Sequence, residues 1–343
     1  MGKHNCIVWT GIWQRGHINI RRAELLRRMT GVDRYPVTLH GWKMIRGVQK
    51  RILLPVLTAL AAVRYPLFFC TDRRQIRFFP RKVVYDYDDP QYSPEELAIL
   101  SRRNVSAIVV PTQKIRGLLR DIGFQKPVEV VPQGVSLGTI DSIRVAAIRR
   151  QWSRDHGEII IGLHQPNFFL RAELPPGPQS DMYAVDLLLE MMVEVHRQIP
   201  DAVLWLVGQP SNGVQKFVGG HPWVQLLGYQ PHEDILNVVS AFDIGVYPRR
   251  VDYGGRGSIK IIEYMACGIP VVGMPISEME PVEQAGAGFT AKAPDDFILR
   301  VVQLCQDGAQ RRTLGQNGKT YAKEFDWDRL AERYANILKS YLP

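Results

Sequence analysis

The sequence predicts an α/β protein made of two doubly wound domains, and three observations carry this prediction. The chain has 343 residues, which is long for one hydrophobic core, so two domains are expected. Short apolar runs alternate with helix-length stretches along most of the chain, which is the pattern of parallel sheets covered by helices. The stretch 243–275 condenses this pattern into strand, glycine-rich loop, helix and strand. That order predicts a parallel βαβ crossover.

The first half of the chain contains six short apolar runs that predict strands. Helical stretches separate them, one with Pro55 as a kink and one with a proline at its start. The predicted strands are 6–11, 35–40, 67–71, 82–87, 107–111 and 128–131, and the predicted helices are 18–29, 43–64, 94–103 and 114–122. A polar connection from Pro132 to about residue 157 is the candidate linker between the domains.

The second half repeats the alternation and closes with helices. The predicted strands are 158–164, 202–207, 224–227, 243–247, 269–273 and 288–291, and the predicted helices are 181–199, 233–242, 258–266, 278–284, 295–306, 309–325 and 327–341. Two local patterns here resemble nucleotide-binding motifs but lack their context. Gly286 opens a GxGxxA run that has a helix before it and a strand after it, and Gly318-Lys319-Thr320 lies inside a helical stretch.

Charge is distributed unevenly along the chain. Residues 1–157 hold 27 Lys and Arg against 12 Asp and Glu, whereas the remainder holds 16 against 22. The basic half indicates an anionic partner, and a charge that serves only solubility is the alternative. Basic helix faces in this half suit peripheral docking on an anionic membrane, and faces that are simply solvated are an equally weighted alternative. The basic residues concerned are Arg21, Arg22, Arg27, Arg28 and those of the stretch 43–51. Nucleic acid is not expected, because no known module or interleaved aromatic pattern is present.

Several classes of protein are disfavoured by what the chain lacks. The four cysteines form no CxxC pair and no His cluster has zinc spacing, so we expect a reduced, cytoplasmic protein without a bound metal. Residues 1–30 lack the continuous apolar core of a secretory signal. The most apolar run, 53–63, is about half the length of the ~20 residues that a membrane span needs.

The loop and helix within 243–275 predict an anion site. Glycines allow the backbone to approach a ligand, and Ser258 is a good N-cap for the helix that follows. Free N–H groups and the helix dipole favour a phosphate at such a point. Lys260 lies in the first turn, and Glu263 follows on the same face. Arg249 and Arg256 add positive charge from the loop. An exposed Lys–Glu pair on a scaffold helix is the plain alternative.

The run SIKIIEYMACGIPVV, residues 258–272, resembles the donor segment of GT-B glycosyltransferases of the retaining group often called family 4. Shorter runs resemble that family in order over about residues 128–341. The resemblance implies that Glu263 binds the donor ribose and Lys260 its diphosphate, acting also as a catalytic group on the leaving diphosphate. The family has a second glutamate eight residues earlier, where this chain has Gly255; Asp252 is the nearest upstream carboxylate.

The resemblance implies a GT-B fold, with two Rossmann-like domains facing each other across a cleft. The expected boundaries are 1–140 for an acceptor domain, 141–325 for a nucleotide-sugar domain, and 326–343 for a terminal helix that packs back on the first. The implied activity is hexosyl transfer with retention, without cofactor or metal, in synthesis of cell-surface polysaccharide or glycolipid. The implied acceptor is lipid-linked or phosphorylated.

Further candidate residues lie at predicted strand ends and loops. Asp86-Tyr87-Asp88 spells the metal-binding DxD of GT-A glycosyltransferases, but a carboxylate at a strand end also suits an acceptor hydroxyl. We therefore predict Asp88 as a catalytic or positioning group and Asp89 as an acceptor contact, with a capped turn as the alternative. The remaining candidates are His164 and Gln165 for donor phosphate, Gly208 and Tyr229 for the nucleobase, and Arg15, Gly16 and His17 for the acceptor.

Two other functional classes remain open at this point. A nucleotide-sugar epimerase shares the two-domain architecture but would consume donor without acceptor. A non-catalytic basic binding protein would retain ligand without turnover.

Overall fold

The computed structural model divides the chain into two compact units, Met1–Gly134 with Asp326–Pro343, and Val135–Phe325. The residues that it describes are 6–9, 24–25, 27–29, 33–35, 56, 58–70, 73–88, 90, 92–153, 157–176, 184–249, 251–252, 255 and 257–342.

The first unit contains a six-stranded, wholly parallel sheet in the order β2-β1-β3-β4-β5-β6. Its strands are β1 Cys6–Trp9, β2 Asp33–Tyr35, β3 Leu67–Cys70, β4 Lys82–Asp86, β5 Val105–Val110 and β6 Val128–Val130. Helices α1 Pro94–Leu100 and α2 Gln113–Asp121 connect the last three strands. Ser93 and Thr112 cap these two helices by accepting backbone N–H bonds.

The second unit also contains a six-stranded parallel sheet, in the order β12-β11-β10-β7-β8-β9. Its strands are β7 Ile159–Phe168, β8 Ala202–Pro210, β9 Val224–Gly228, β10 Ile244–Tyr247, β11 Val271–Gly273 and β12 Gly288–Thr290. Its helices are α3 Ser142–Trp152, α4 Asp186–Gln198, α5 Asn212–Gly219, α6 Ile235–Val239, α7 Ile259–Ala266, α8 Glu280–Ala285, α9 Pro294–Gln306 and α10 Gly308–Ala322. This is the strand order of a doubly wound dinucleotide-binding fold.

Each unit has its own hydrophobic core, which accounts for the alternation in the sequence. Strands β8 and β10 are buried almost throughout, as expected for strands covered by helices on both faces. The core of the first unit gathers around Phe68, Val83 and Ile108, and that of the second around Trp205 and Met265.

The terminal helix α11, Trp327–Ser340, belongs to the first unit. The Tyr334 hydroxyl donates to Asp86 Oδ1 at 2.7 Å, and both residues are fully buried. At the other end of the helix, the Tyr341 hydroxyl lies 2.8 Å from Glu129 Oε1. These bonds attach the last helix to the strands that precede it by more than two hundred residues.

Two predicted elements differ from the structure in the second unit. The linker predicted as a polar connection contains helix α3, whose start is stabilised by Asp141 accepting from Ile143 and Arg144. Ile148 is its one buried residue, so the helix lacks the apolar stripe by which sequence reasoning detects helices. Strand β7 runs to Phe168 rather than ending at His164, and its register with β8 shifts between His164 and Asn167.

Two other differences concern segments only partly described. The second predicted strand, 35–40, is found as Asp33–Tyr35, and its residues 36–40 lie outside the described part of the chain. The helix predicted from residue 181 begins at Asp186, and residues 177–183 are likewise outside it.

No helix among the described residues is long and apolar enough to cross a membrane.

Candidate active site

The site lies at the switch point of the second sheet. Strands β7 and β10 are neighbours in that sheet, and the chain winds away from them in opposite directions. A crevice opens beyond the carboxyl ends of two such strands, and α/β proteins bind ligands there. His164 lies in the part of β7 that passes this edge, Tyr247 ends β10, and the predicted anion loop follows directly. Topology therefore brings the candidates of both segments together.

The glycine-rich loop is braced by a carboxylate rather than left free. Gly255 and Gly257 have φ of 73° and 76°, the left-handed region that favours glycine. Asp252 accepts from the backbone N–H of Gly255 at 3.2 Å, and from Ser277 through its N–H at 3.0 Å and its hydroxyl at 2.9 Å. The nearest upstream carboxylate thus anchors the loop to the segment after β11.

Helix α7 follows the loop, but its predicted cap works differently. Ser258 occupies the N-cap position with extended backbone and makes no side-chain capping bond. Its hydroxyl instead hydrogen-bonds the hydroxyl of buried Tyr247. Ser258 is thus the N-cap residue, as predicted, but its side chain does not cap the helix, because the end of β10 supplies a competing partner.

Glu263 is the most unusual residue of the site. It is buried on the inner side of α7, with a side chain only 3% exposed. Its Oε2 lies 3.2 Å from His164 Nε2, and the His164 side chain is 8% exposed. Neither of these two atoms forms a hydrogen bond. A buried carboxylate oxygen without a bond is costly, and such an atom in a ligand-binding crevice indicates a missing partner.

Lys260 lies within electrostatic reach of both this carboxylate and a second cation, Arg249. Burial and the nearby Arg249 lower the pKa of the Lys260 ammonium to about 8, while Glu263 acts in the opposite direction. Arg249 is 19% exposed; its guanidinium lies 5.0 Å from the centre of the Tyr247 ring and 3.8 Å from Glu278 Oε1. Two partly desolvated cations that are close to each other, one of them in the first turn of α7, favour an anion. Arg256 lies outside the described residues.

Tyr264 fixes the geometry between β7 and α7, and sequence reasoning missed it. Its hydroxyl accepts from the His164 backbone N–H at 3.3 Å and donates to the Gly162 carbonyl at 3.4 Å. Its ring meets the His164 ring edge-on at 5.4 Å. Its position in the run EYMA next to Glu263 was the signal available in the sequence.

The other donor candidates of the second unit lie at neighbouring strand ends. Gln165 follows His164, and its side-chain amide donates to the Asn167 carbonyl at 2.9 Å. A Cβ on Gly208 would lie 1.8 Å from the Gln165 carbonyl oxygen, so close backbone approach explains this glycine. Tyr229, just after β9, is 68% exposed and free to stack on a planar ligand. Their contacts with a donor stay predictions.

The acceptor candidates belong to the first unit. Asp86 is held by Tyr334 as above, which accounts for the first aspartate of the DxD pattern without a metal. Asp88 is 8% exposed and accepts from Gln133 Nε2 at 2.7 Å. Asp89 and the loop residues Arg15, Gly16 and His17 lie outside the described part of the chain. Among the residues described, no cluster of three or more His, Cys, Asp or Glu could hold a metal ion.

Comparison with known proteins finds that this chain is similar to glycosyltransferases. Residues 179–307 match the sequence model of a family described as "Glycosyl transferases group 1". The D-inositol 3-phosphate glycosyltransferase of Segniliparus rotundus is 28% identical over 228 residues, which are 62% of this chain and 46% of that protein. The O-antigen chain mannosyltransferase B of Escherichia coli is 32% identical over 118 residues, 34% of this chain and 30% of that protein. The chain thus spans about half the length, or less, of the curated relatives that it matches.

Solved structures extend the likeness to the whole fold. Anabaena Alr3699/HepE in complex with UDP and glucose superposes with a TM-score of 0.72 at 17% identity, covering 98% of this chain and 100% of that one. WaaG, a glycosyltransferase involved in lipopolysaccharide biosynthesis, gives 0.67 at 13% identity, covering 97% and 99%. Both have the GT-B fold, so the predicted fold class is confirmed. The matching family confirms the predicted resemblance to group 1 glycosyltransferases, the enzyme class expected from the sequence.

Proposed function

We propose that this protein transfers a hexose from a nucleotide-sugar donor to an acceptor hydroxyl, with retention of configuration and without a metal ion. One observation carries the proposal: at the switch point of the second sheet, the buried carboxylate of Glu263 lies within electrostatic reach of the Lys260 ammonium, which is itself close to Arg249. A carboxylate for ribose hydroxyls next to cations for a diphosphate is the arrangement that a nucleotide sugar needs.

The second unit would bind the donor. Lys260, Arg249 and Arg256 would neutralise the diphosphate, with the hydroxyl of Ser258 and the irregular part of β7 at His164 and Gln165 beside it. Since the pKa of Lys260 is about 8, the ammonium is mostly charged at pH 7. It would stabilise the negative charge that grows on the departing diphosphate, an electrostatic role of the oxyanion-hole type. Gly208 and Tyr229 would flank the nucleobase.

The first unit would bind the acceptor. The Gln133 amide holds the Asp88 carboxylate, so Asp88 is prepared to position a hydroxyl or to accept its proton. Asp89, Arg15, Gly16 and His17 complete the proposed acceptor set. The relatives support an acceptor that is phosphorylated or lipid-linked. Their names include inositol 3-phosphate, monoacylated phosphatidylinositol monomannoside and the O-antigen chain, which points to cell-surface glycans.

Such an acceptor would bring the protein to the cytoplasmic surface of an anionic membrane. In the first unit, Arg28 would contribute little to membrane binding, because its guanidinium pairs with Glu24 and, at 2.7 Å, with Asp328. Exposed cations lie instead where the strands of the first sheet begin. An apolar helix face ends beside them, with Leu60 65% and Val63 86% exposed. This combination favours peripheral contact with anionic lipid.

The donor assignment can be tested with a thermal-shift panel of UDP-, GDP-, ADP- and dTDP-sugars. Binding to the folded state raises the melting temperature by mass action, about 2.7 kcal/mol of stabilisation at a hundred times Kd. We expect one nucleotide class to raise it, and the shift to vanish in both Lys260→Ala and Glu263→Ala. The exposed pair Lys216→Ala and Glu190→Ala serves as the control and should keep the shift. A shift that survives both site variants contradicts the proposal.

Product analysis separates transfer from the other two classes. An epimerase would convert the bound donor in the absence of any acceptor. A binding protein would hold the donor without turnover under all conditions. Release of free nucleoside diphosphate that depends on an added acceptor supports the transferase.

A further inference from the structure

We infer that His164 is the positioning residue of Glu263, holding one carboxylate oxygen so that the other is presented to the donor ribose. This inference rests on the proposed function and assigns His164 a role different from the phosphate contact predicted from the sequence. Its basis is a pair of buried atoms, His164 Nε2 and Glu263 Oε2, 3.2 Å apart, neither of which forms a hydrogen bond.

Burial restricts the partners that these two atoms can reach. The side chains of His164 and Glu263 are 8% and 3% exposed. Water therefore has little access to these atoms, and leaving them without a hydrogen bond costs free energy. The separation of the two atoms is already that of a hydrogen bond. With its proton on Nε2, a neutral imidazole can donate to Oε2. The two side chains can thus satisfy each other within the site.

The position of the imidazole ring is set by Tyr264. The ring of Tyr264 meets that of His164 edge-on with an interplanar angle of 87°, and its hydroxyl accepts from the His164 backbone N–H. Tyr264 is fully buried and follows Glu263 in helix α7. One helix therefore carries both the carboxylate and the side chain that orients its partner. A fixed partner lowers the ordering cost when the ligand binds.

The test compares two substitutions at the same position. His164→Gln keeps an N–H donor near the place of Nε2, whereas His164→Phe keeps a ring against Tyr264 and removes the donor. Donor Kd is measured by calorimetry with the nucleotide sugar found in the thermal-shift panel. We expect His164→Phe to weaken binding roughly tenfold, because a bond to a charged group is lost, and His164→Gln to stay within about threefold. Acceptor KM should not move in either variant.

A double-mutant cycle with Glu263→Gln shows whether His164 acts through the carboxylate. If it does, His164→Phe costs little more in the Glu263→Gln background. An undiminished loss in that background, or wild-type affinity in His164→Phe, overturns the inference. Circular dichroism and melting temperature without donor check that each variant folds. If His164→Phe does not fold, His164→Leu, which also lacks the N–H donor, replaces it in the cycle.

The pair can also be judged without any ligand. Nitrogen-15 spectra of the histidine rings report which nitrogen carries the proton, and His164→Gln identifies the signal. We expect the Nε2-protonated form in the wild type and a changed signal in Glu263→Gln. An unchanged signal contradicts the His164–Glu263 pair, whether or not a nucleotide sugar binds. Failure of every nucleotide sugar to bind would, by itself, refute only the proposed function.

Discussion

Lys260 couples the candidate site to pH. Its ordinary pKa of 10.5 is lowered to about 8, first by burial and then by Arg249, and Glu263 offsets part of this effect. In the proposed function, a diphosphate binds the ammonium form. Donor binding and proton binding at Lys260 would then be linked, and the free protein loses this proton around pH 8.

The expected result is a loss of donor affinity above about pH 8. Below that pH the ammonium is present and Kd is constant; above it, each pH unit raises Kd by up to about tenfold. Lys260→Arg should keep affinity nearly constant to about pH 10, because a guanidinium stays charged. Lys260→Ala should bind weakly at every pH. Calorimetry from pH 6 to pH 10 measures the three profiles, and a wild-type profile that is flat to pH 10 contradicts the role of Lys260.

At the scale of elements, helix α10 supports the candidate site from behind. A Cβ on Gly315 would lie 2.0 Å from the Gly268 carbonyl oxygen, just after α7, and one on Gly318 would lie 3.3 Å from the Met265 Cα. The two glycines let α10 approach the end of the helix that carries Glu263. Gly318, which with Lys319 and Thr320 resembles part of a P-loop, is therefore explained by the close packing of these helices.

Gly315→Ala should therefore destabilise the protein, although alanine is the better helix former. The close contact is with backbone, so a helix must shift, and we expect a loss of about 1–3 kcal/mol. Gly117→Ala in α2 is the matched control, since nothing lies within 4 Å of its Cβ; it should gain about 0.5–1 kcal/mol. Urea unfolding of the two variants gives both values. Equal changes in the free energy of unfolding would mean that the packing of α10 near the end of α7 leaves room for a Cβ at position 315.

The elements also show what the sequence could and could not predict. Strands such as β8 and β10 are continuous apolar runs, so the sequence alone predicted that these segments form buried strands. Helix α3 was missed because it buries only Ile148 and is stabilised by Asp141 and by Arg149, whose guanidinium lies 2.5 Å from Asp243. The contacts of Asp252 and Tyr247 in the site depend on residues brought together by folding, which periodicity does not report.

At the scale of the whole molecule, the unequal charge of the two halves was readable from the sequence, but its placement was not. In the first sheet, Arg81 and Lys82 are exposed where β4 begins, and Arg102 and Arg103 just before β5. Parallel strands begin at the same edge of a sheet, and Val83 N–H donates to the Asn104 carbonyl at 2.7 Å, which places these starts side by side. We call these four cations the basic edge. The exposed helical residues Leu60 and Val63 lead into this edge just before β3.

The basic edge predicts binding to anionic vesicles. Each cation near such a surface contributes about 1 kcal/mol, so replacing all four by glutamine should weaken binding to phosphatidylglycerol-containing vesicles by at least tenfold. The control removes the same charge from exposed positions of the second unit. It carries glutamine at Lys216, Lys292, Arg312 and Lys323.

The comparison between the two quadruple variants shows whether the basic edge docks on the membrane or whether the net positive charge of the protein attracts it without a defined surface. Cosedimentation with vesicles at low salt measures binding, and high salt should weaken it because charges at a surface are screened. If both variants lose affinity equally, the net charge of +9 acts without a defined surface. If only the variant of the basic edge loses it, that edge meets the membrane. Val63→Asn should then weaken binding further at high salt, where the buried apolar contact outlasts the screened charges.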